Sequence, residues 1–188
     1  LNGLINKSNY SSSFLDGKRN GCFQSRIIPH LFFLEITKKS TSTLRITTVR
    51  DSHGLVSARA AYLRVGRAND DIVKSSSAIK IPVDINTGTL HDIGFLPDWG
   101  FVEEHPDSGF VFSGSRIPLF LEAKKLCISL HESFPHFGII GWDLCIDHAD
   151  QVKIMEWNAN QTGIVFSEAT TGPCFTGLDW ENRWKSFV

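Results

Sequence analysis

The chain has 188 residues, 41% of them apolar and 21% charged, which suits one ordinary domain with a real core. Lys and Arg number 19 against 20 Asp and Glu, a formal net charge of -1, so the basic excess of a nucleic-acid or membrane-surface protein is missing. No apolar run reaches the roughly 18 residues of a membrane-spanning helix, and neither nucleic-acid binding nor membrane insertion is expected. The polar N-terminus lacks a secretory pattern. Cys22, Cys127, Cys145 and Cys174 are scattered without a C-x-x-C pair or a nearby His at zinc spacing. Buried free thiols in a reducing, cytoplasmic setting are the simpler expectation.

Residues 1–24, rich in Ser, Asn, Lys and Gly, read as a loop or frayed terminus of a single domain spanning 1–188. Gln24 to Glu35 turns apolar around Pro29 and suits either a short helix or a strand. Ser40 to Val49 has the branched alternation of a strand, and the turn Asp51-Ser52-His53-Gly54 joins it to a second strand over Val56 to Val65. Arg45 and Arg64 lie on these strands, as solvated or ion-pairing side chains or as phosphate ligands. A polar loop over 66–77 follows, then a strand over Ala78 to Val83 in which Lys80 sits between two apolar residues. Asp84 to Gly88 is a turn and Thr89-Leu90 starts a return strand. A loop carries Trp99, Glu103, Glu104 and the run from His105 to Gly109. From Pro118 the period changes: Ile117, Phe120, Ala123, Cys127 and Leu130 recur every three to four residues, the signature of a helix ending before Phe134-Pro135. Trp180 to Trp184 is expected to form a short helix.

The chain is organised around Gly138 to Asn160, two apolar runs joined by the turn residues Asp147 to Gln151. Pairing Asp147 with either Gln151 or Val152 closes a tight hairpin. The symmetric choice, a four-residue turn at His148 to Gln151, sets Asp143 directly opposite Glu156, with Asn158 on the same face. Trp142, Leu144, Met155 and Trp157 then point the other way. Two carboxylates facing each other destabilise a sheet unless a proton or cation lies between them. A hard divalent ion such as Mg²⁺ would meet that need; so would a solvated face on which each acid finds a Lys or Arg. The architecture read from these elements is α+β, an antiparallel sheet of hairpins with one principal packed helix.

Four segments resemble a known family: Ser42 to Arg45 with Thr47-Thr48, Val83 to Gly88, His105-Pro106-Asp107 through Ile117-Pro118, and Gly141-Trp142-Asp143 with Glu156-Trp157-Asn158. Together they look like the C-terminal part of an ATP-grasp domain, in the sugar-transfer-associated branch related to alpha-L-glutamate ligases, over about Ile27 to Thr171. The resemblance implies an ATP- and magnesium-dependent ligase in which Asp143, Glu156 and Asn158 hold magnesium against the ATP phosphates. It implies that Arg45 steadies phosphate or acylphosphate oxygens and that His105 faces substrate. A carboxylate would be phosphorylated to an acylphosphate and then attacked by an amine-type or sugar-linked acceptor, in a setting of surface-polysaccharide synthesis.

Two departures shape the expectation. The earlier part of such a domain, with its nucleotide-binding lysines and glycine-rich loop, has no counterpart in this sequence. Where the family has paired glycines this chain has Ser75-Ser76-Ser77, and a turn needing positive φ would be strained there. A piece of a longer enzyme, or a non-catalytic binding protein with an exposed apolar face, are the two readings these departures allow; homo-oligomer formation would suit either. A metal-independent glycosidase using Asp143 and Glu156 as its two carboxyls explains none of the other segments.

Overall fold

The computed structural model of the chain describes residues 25–68 and 70–180. The expected loop over 1–24 and the Trp184 end of the expected last helix lie outside the described residues. Within them the elements are α1 (Leu31–Ile36), β1 (Thr43–Arg50), β2 (Val56–Val65), β3 (Ile79–Val83), β4 (Gly94–Phe95), β5 (Phe101–Val102), α2 (Phe120–Glu132), β6 (Ile139–Ile146), β7 (Val152–Asn158) and α3 (Ile164–Thr170). All seven strands form one antiparallel sheet in the order β5-β4-β3-β2-β1-β6-β7. The expected α+β class holds.

Strand alternation divides the sheet into an apolar and a polar face. Leu44 and Ile46 of β1, Leu63 of β2, Ile81 of β3, and Ile140, Trp142 and Leu144 of β6 are fully or almost fully buried in one core cluster. α2 lies on this face through Phe120, Ala123, Cys127 and His131, spaced three to four residues apart so that they share a stripe. The other face carries Arg45, Thr47, Tyr62, Arg64, Lys80 and Asp143, whose positions in the strands alternate with those of the core residues.

α2 starts at Phe120, later than Pro118 where its first turn was expected. Ile117 N–H bonds Gly88 O at 3.0 Å, which keeps the chain extended, and Leu119 then turns it with φ 52°. Gly88 itself has φ 79°, and a Cβ there would run into the Phe120 side chain, so this crossing demands glycine. The helix-or-strand choice over Gln24 to Glu35 resolves to the short helix α1, Leu31–Ile36. His30 caps it, its Nδ1 accepting from Phe32 N–H at 3.0 Å. The expected return strand at Thr89-Leu90 reduces to isolated bridges, Val83 to Leu90 and Thr89 to Arg116. β4 and β5, two residues each, went unforeseen because nothing so short shows a period.

At the C-terminal end of α2, His131 is wholly buried between the helix and the sheet. Its Nε2 lies 2.9 Å from Phe137 O, which only accepts, so Nε2 carries a proton. In the neutral ring Nδ1 then accepts from Thr48 Oγ1 at 2.7 Å, and Thr48 Oγ1 accepts from Trp142 Nε1 at 2.8 Å. A helix and two central strands are thus joined by one buried relay.

Candidate functional site

The hairpin of β6 and β7 sets Asp143 opposite Glu156, Trp142 opposite Trp157 and Gly141 opposite Asn158. This is the expected pairing, reached by another route. Asp147 N–H bonds Gln151 O at 3.0 Å and Ile146 pairs with Val152, so the turn is one residue shorter than the symmetric choice. Asp147 Oδ1 accepts from Ala149 N–H at 2.9 Å and Gln151 N–H at 3.0 Å, and Asp150 takes φ 56° to close it. Left alone, that slip would put Met155 opposite Asp143. A β-bulge restores the register: Leu144 pairs with Ile154, Asp143 with Glu156, and Met155 is the extra residue. Ile154, not Met155, therefore faces α2 beside Leu144.

Asp143 is buried and Glu156 exposed, because β6 is an inner strand and β7 the edge of the sheet. The cation that answers Asp143 within the chain is Arg45. Directly opposite on β1, it donates from Nε to Oδ1 at 2.5 Å and from Nη2 to Oδ2 at 2.6 Å, a bidentate pair with both side chains buried. Its remaining nitrogen Nη1 donates to Gln161 O at 2.7 Å. Burial opposes the Arg45 charge, yet hydrogen-bonded Asp143, with Glu156 adding to it, holds its pKa above the ordinary value. Burial raises the Tyr62 hydroxyl too, against the pull of Arg45. Asn158 Nδ2 donates to Glu156 Oε1 at 3.2 Å, which orients both side chains on the same face.

The segment after the hairpin crosses this polar face closely. Thr47 Oγ1 donates to Thr162 O at 2.8 Å, and a Cβ on Gly141 would overlap the Thr162 backbone. α3 follows, and Phe166 packs against Tyr62 with ring centroids 4.9 Å apart. No pattern in Asn160 to Gly163 signalled this crossing. Gly141, breaking an apolar strand, was the only trace of it.

The structure brings Arg45, Asp143, Glu156 and Asn158 together and leaves His105 apart from them. His105 is buried, its Nε2 3.0 Å from Gly66 O and its Nδ1 accepting from Asp107 N–H at 3.3 Å. Both ring nitrogens thus have backbone partners. The neighbouring Asp107 takes Arg67 bidentately at 2.7 and 2.8 Å, which pins the loop after β2 and holds the carboxyl below the usual range. The strain expected at Ser75-Ser76-Ser77 does not arise, since none has positive φ; Ala78 N–H instead bonds Lys74 O at 2.8 Å.

A cleft of about 700 Å³ lies away from this hairpin, between β2, β3 and the end of α3, lined by Arg59, Asp84, His91 and Glu168 among others. None of the candidate residues lines it.

An antiparallel seven-stranded sheet with helices packed on it is consistent with an α+β fold of the ATP-grasp-like class. The family model described as "Sugar-transfer associated ATP-grasp" matches residues 5–178, nearly the whole chain, and the chain belongs to that family. No curated protein and no solved structure matches it.

Proposed function

We propose that the chain acts in an ATP- and magnesium-dependent ligase that activates a carboxylate and joins it to an amine-type or sugar-linked acceptor. The observation that carries this is the in-register pair Asp143 and Glu156 with Asn158 beside them on one sheet face. Family membership supports the ligase class.

The donor set suits magnesium. Among the described residues Glu156 Oε2 and the Asn158 amide oxygen have no protein partner, and each Asp143 oxygen keeps a second acceptor site beside its bond from Arg45. All are hard oxygen donors. One positive charge on Arg45 against two negative ones leaves a local balance of about -1, too little to hold a divalent ion strongly without phosphate oxygens. When bound, magnesium would neutralise the charge that gathers on a transferred phosphoryl group. Arg45 fixes the Asp143 carboxylate and, through Gln161 O, the segment that closes over it. Asn158 holds Glu156 in its rotamer on an otherwise exposed edge. In the reaction class proposed, the γ-phosphoryl group passes to the carboxylate as ADP leaves, and the acceptor's attack expels phosphate.

Calorimetric titration of ATP with magnesium tests this reading. Magnesium-dependent binding should be present in the chain and lost in both Asp143→Asn and Glu156→Gln; the exposed Glu156 makes the second variant safe for folding. Absence of magnesium-dependent heat in a chain shown to be folded by circular dichroism would overturn it. A second reading, a non-catalytic binding protein, draws on the exposure of Trp99 (55%), Phe101 (69%) and Val165 (77%) near the β4–β5 end of the sheet. Such a protein would retain partner binding while ignoring nucleotide.

A further inference from the structure

The polar face holds a second opposed pair, and this one is basic. Arg64 of β2 and Lys80 of β3 are direct register partners, so their side chains leave the sheet side by side. Like charges so placed destabilise a sheet unless something lies between them. Asp143 has its guanidinium; among the described residues the Arg64 and Lys80 pair has no carboxylate partner. Among the described residues, Arg64 Nη2 donates to Ser75 Oγ at 3.3 Å, its Nε is buried with no partner, and the Lys80 ammonium lies 5.3 Å from the centroid of the neutral Phe166 ring. Burial first, then Arg64 and Arg45, push the Lys80 pKa below its ordinary value, as expected of a cation among cations.

We propose that Arg64 and Lys80 form an anion site, taking a carboxylate or phosphate group that the substrate carries in addition to the group it reacts through. Arg64 is two strands and two residues from Asp143, roughly 12 Å by strand geometry. Two clamped metal ions lie only about 3.5–4 Å apart. On that backbone spacing, the group proposed here is a second group, apart from the phosphoryl oxygens at the hairpin. A guanidinium and an ammonium converging on one oxyanion give charge-assisted hydrogen bonds, and Ser75 supplies a hydroxyl beside them. The substrate would be a molecule with two acidic groups. Assigning the anion to that substrate rests on the ligase reading; the anion site itself does not.

The test compares the full chain with Lys80→Met, Arg64→Met and Lys80→Arg in chloride buffer. Inorganic phosphate is the probe for the free anion and ATP with magnesium the probe for nucleotide. Millimolar phosphate should raise the unfolding midpoint of the chain and of Lys80→Arg, but of neither methionine variant. Without phosphate, Lys80→Met should unfold no earlier than the parent, since it removes a repulsion. Its affinity for magnesium-ATP should change less than threefold. No phosphate effect in the parent, or an effect that persists in Lys80→Met, overturns the site. A tenfold loss of magnesium-ATP affinity in Lys80→Met would assign the pair to nucleotide phosphates and overturn the substrate assignment. If the parent ignores magnesium-ATP while phosphate binding still needs Lys80, the ligase reading falls and the anion site stands.

Discussion

Arg45 keeps its charge where burial opposes it, and Asp143 is the reason. Removing one partner of a buried pair strands the other's charge, a loss of about 3–5 kcal/mol. Arg45→Met should therefore cost that much in urea unfolding, while Glu156→Gln on the exposed edge should stay within about 0.5 kcal/mol of the parent. Equal small losses in both would mean that the bidentate pair contributes little. The carboxylates and Asn158 were legible in the sequence because strand parity and turn residues set their faces. Arg45 was legible only as two alternatives, an ion-paired side chain or a phosphate ligand. Its contact with an acid 98 positions away is settled by β1 lying beside β6. Lys80 left a signal too, a lone charge between Ile79 and Ile81, but its opposition to Arg64 depends on the register of β2 and β3.

α2 is bound to the sheet by packing along its stripe and by the His131 relay. Burial lowers the His131 pKa, so the folded state favours the neutral ring that Thr48 and Phe137 O require. A depressed folded pKa makes this contribution complete above the ordinary value of 6.5 and erodes it as pH falls below 6.5 toward the folded value. Denaturant unfolding at pH 7.5 and 5.5 should show stability falling with acid, and His131→Asn should flatten that slope at some cost in stability at pH 7.5. An unchanged slope would remove His131 from the linkage. The period of α2 was readable, but its start was not, because an extended pairing with Gly88 holds Ile117 back. The hairpin teaches the same lesson: a shorter turn and a bulge cancel, and the right pair emerges from two local differences.

At the scale of the molecule, one sheet carries the described fold, with β7 and β5 as its edges and β1, β2 and β6 inside. Hydrogen exchange should be slowest at amides of Leu44, Ile46, Leu63 and Leu144 and far faster along Met155 to Trp157, which are exposed on the edge strand β7. Uniform protection across all strands would contradict that gradient. The described residues contain no helix long and apolar enough to cross a membrane. Cys127, Cys145 and Cys174 are free and buried, as expected, with burial pushing their thiols up to about 12, 11 and 11.

By itself the sequence determined the class of fold, the principal helix, and the face on which Asp143, Glu156 and Asn158 stand. These follow from periods of two and 3.6 and from turn chemistry, all properties of neighbours in the chain. Tertiary structure alone decided that Arg45 closes on Asp143, that His105 bonds the backbone, that Thr162 crosses Gly141, and that Arg64 and Lys80 face each other across β2 and β3. Each joins residues far apart in sequence, so strand order and register had to exist before the contact had any meaning.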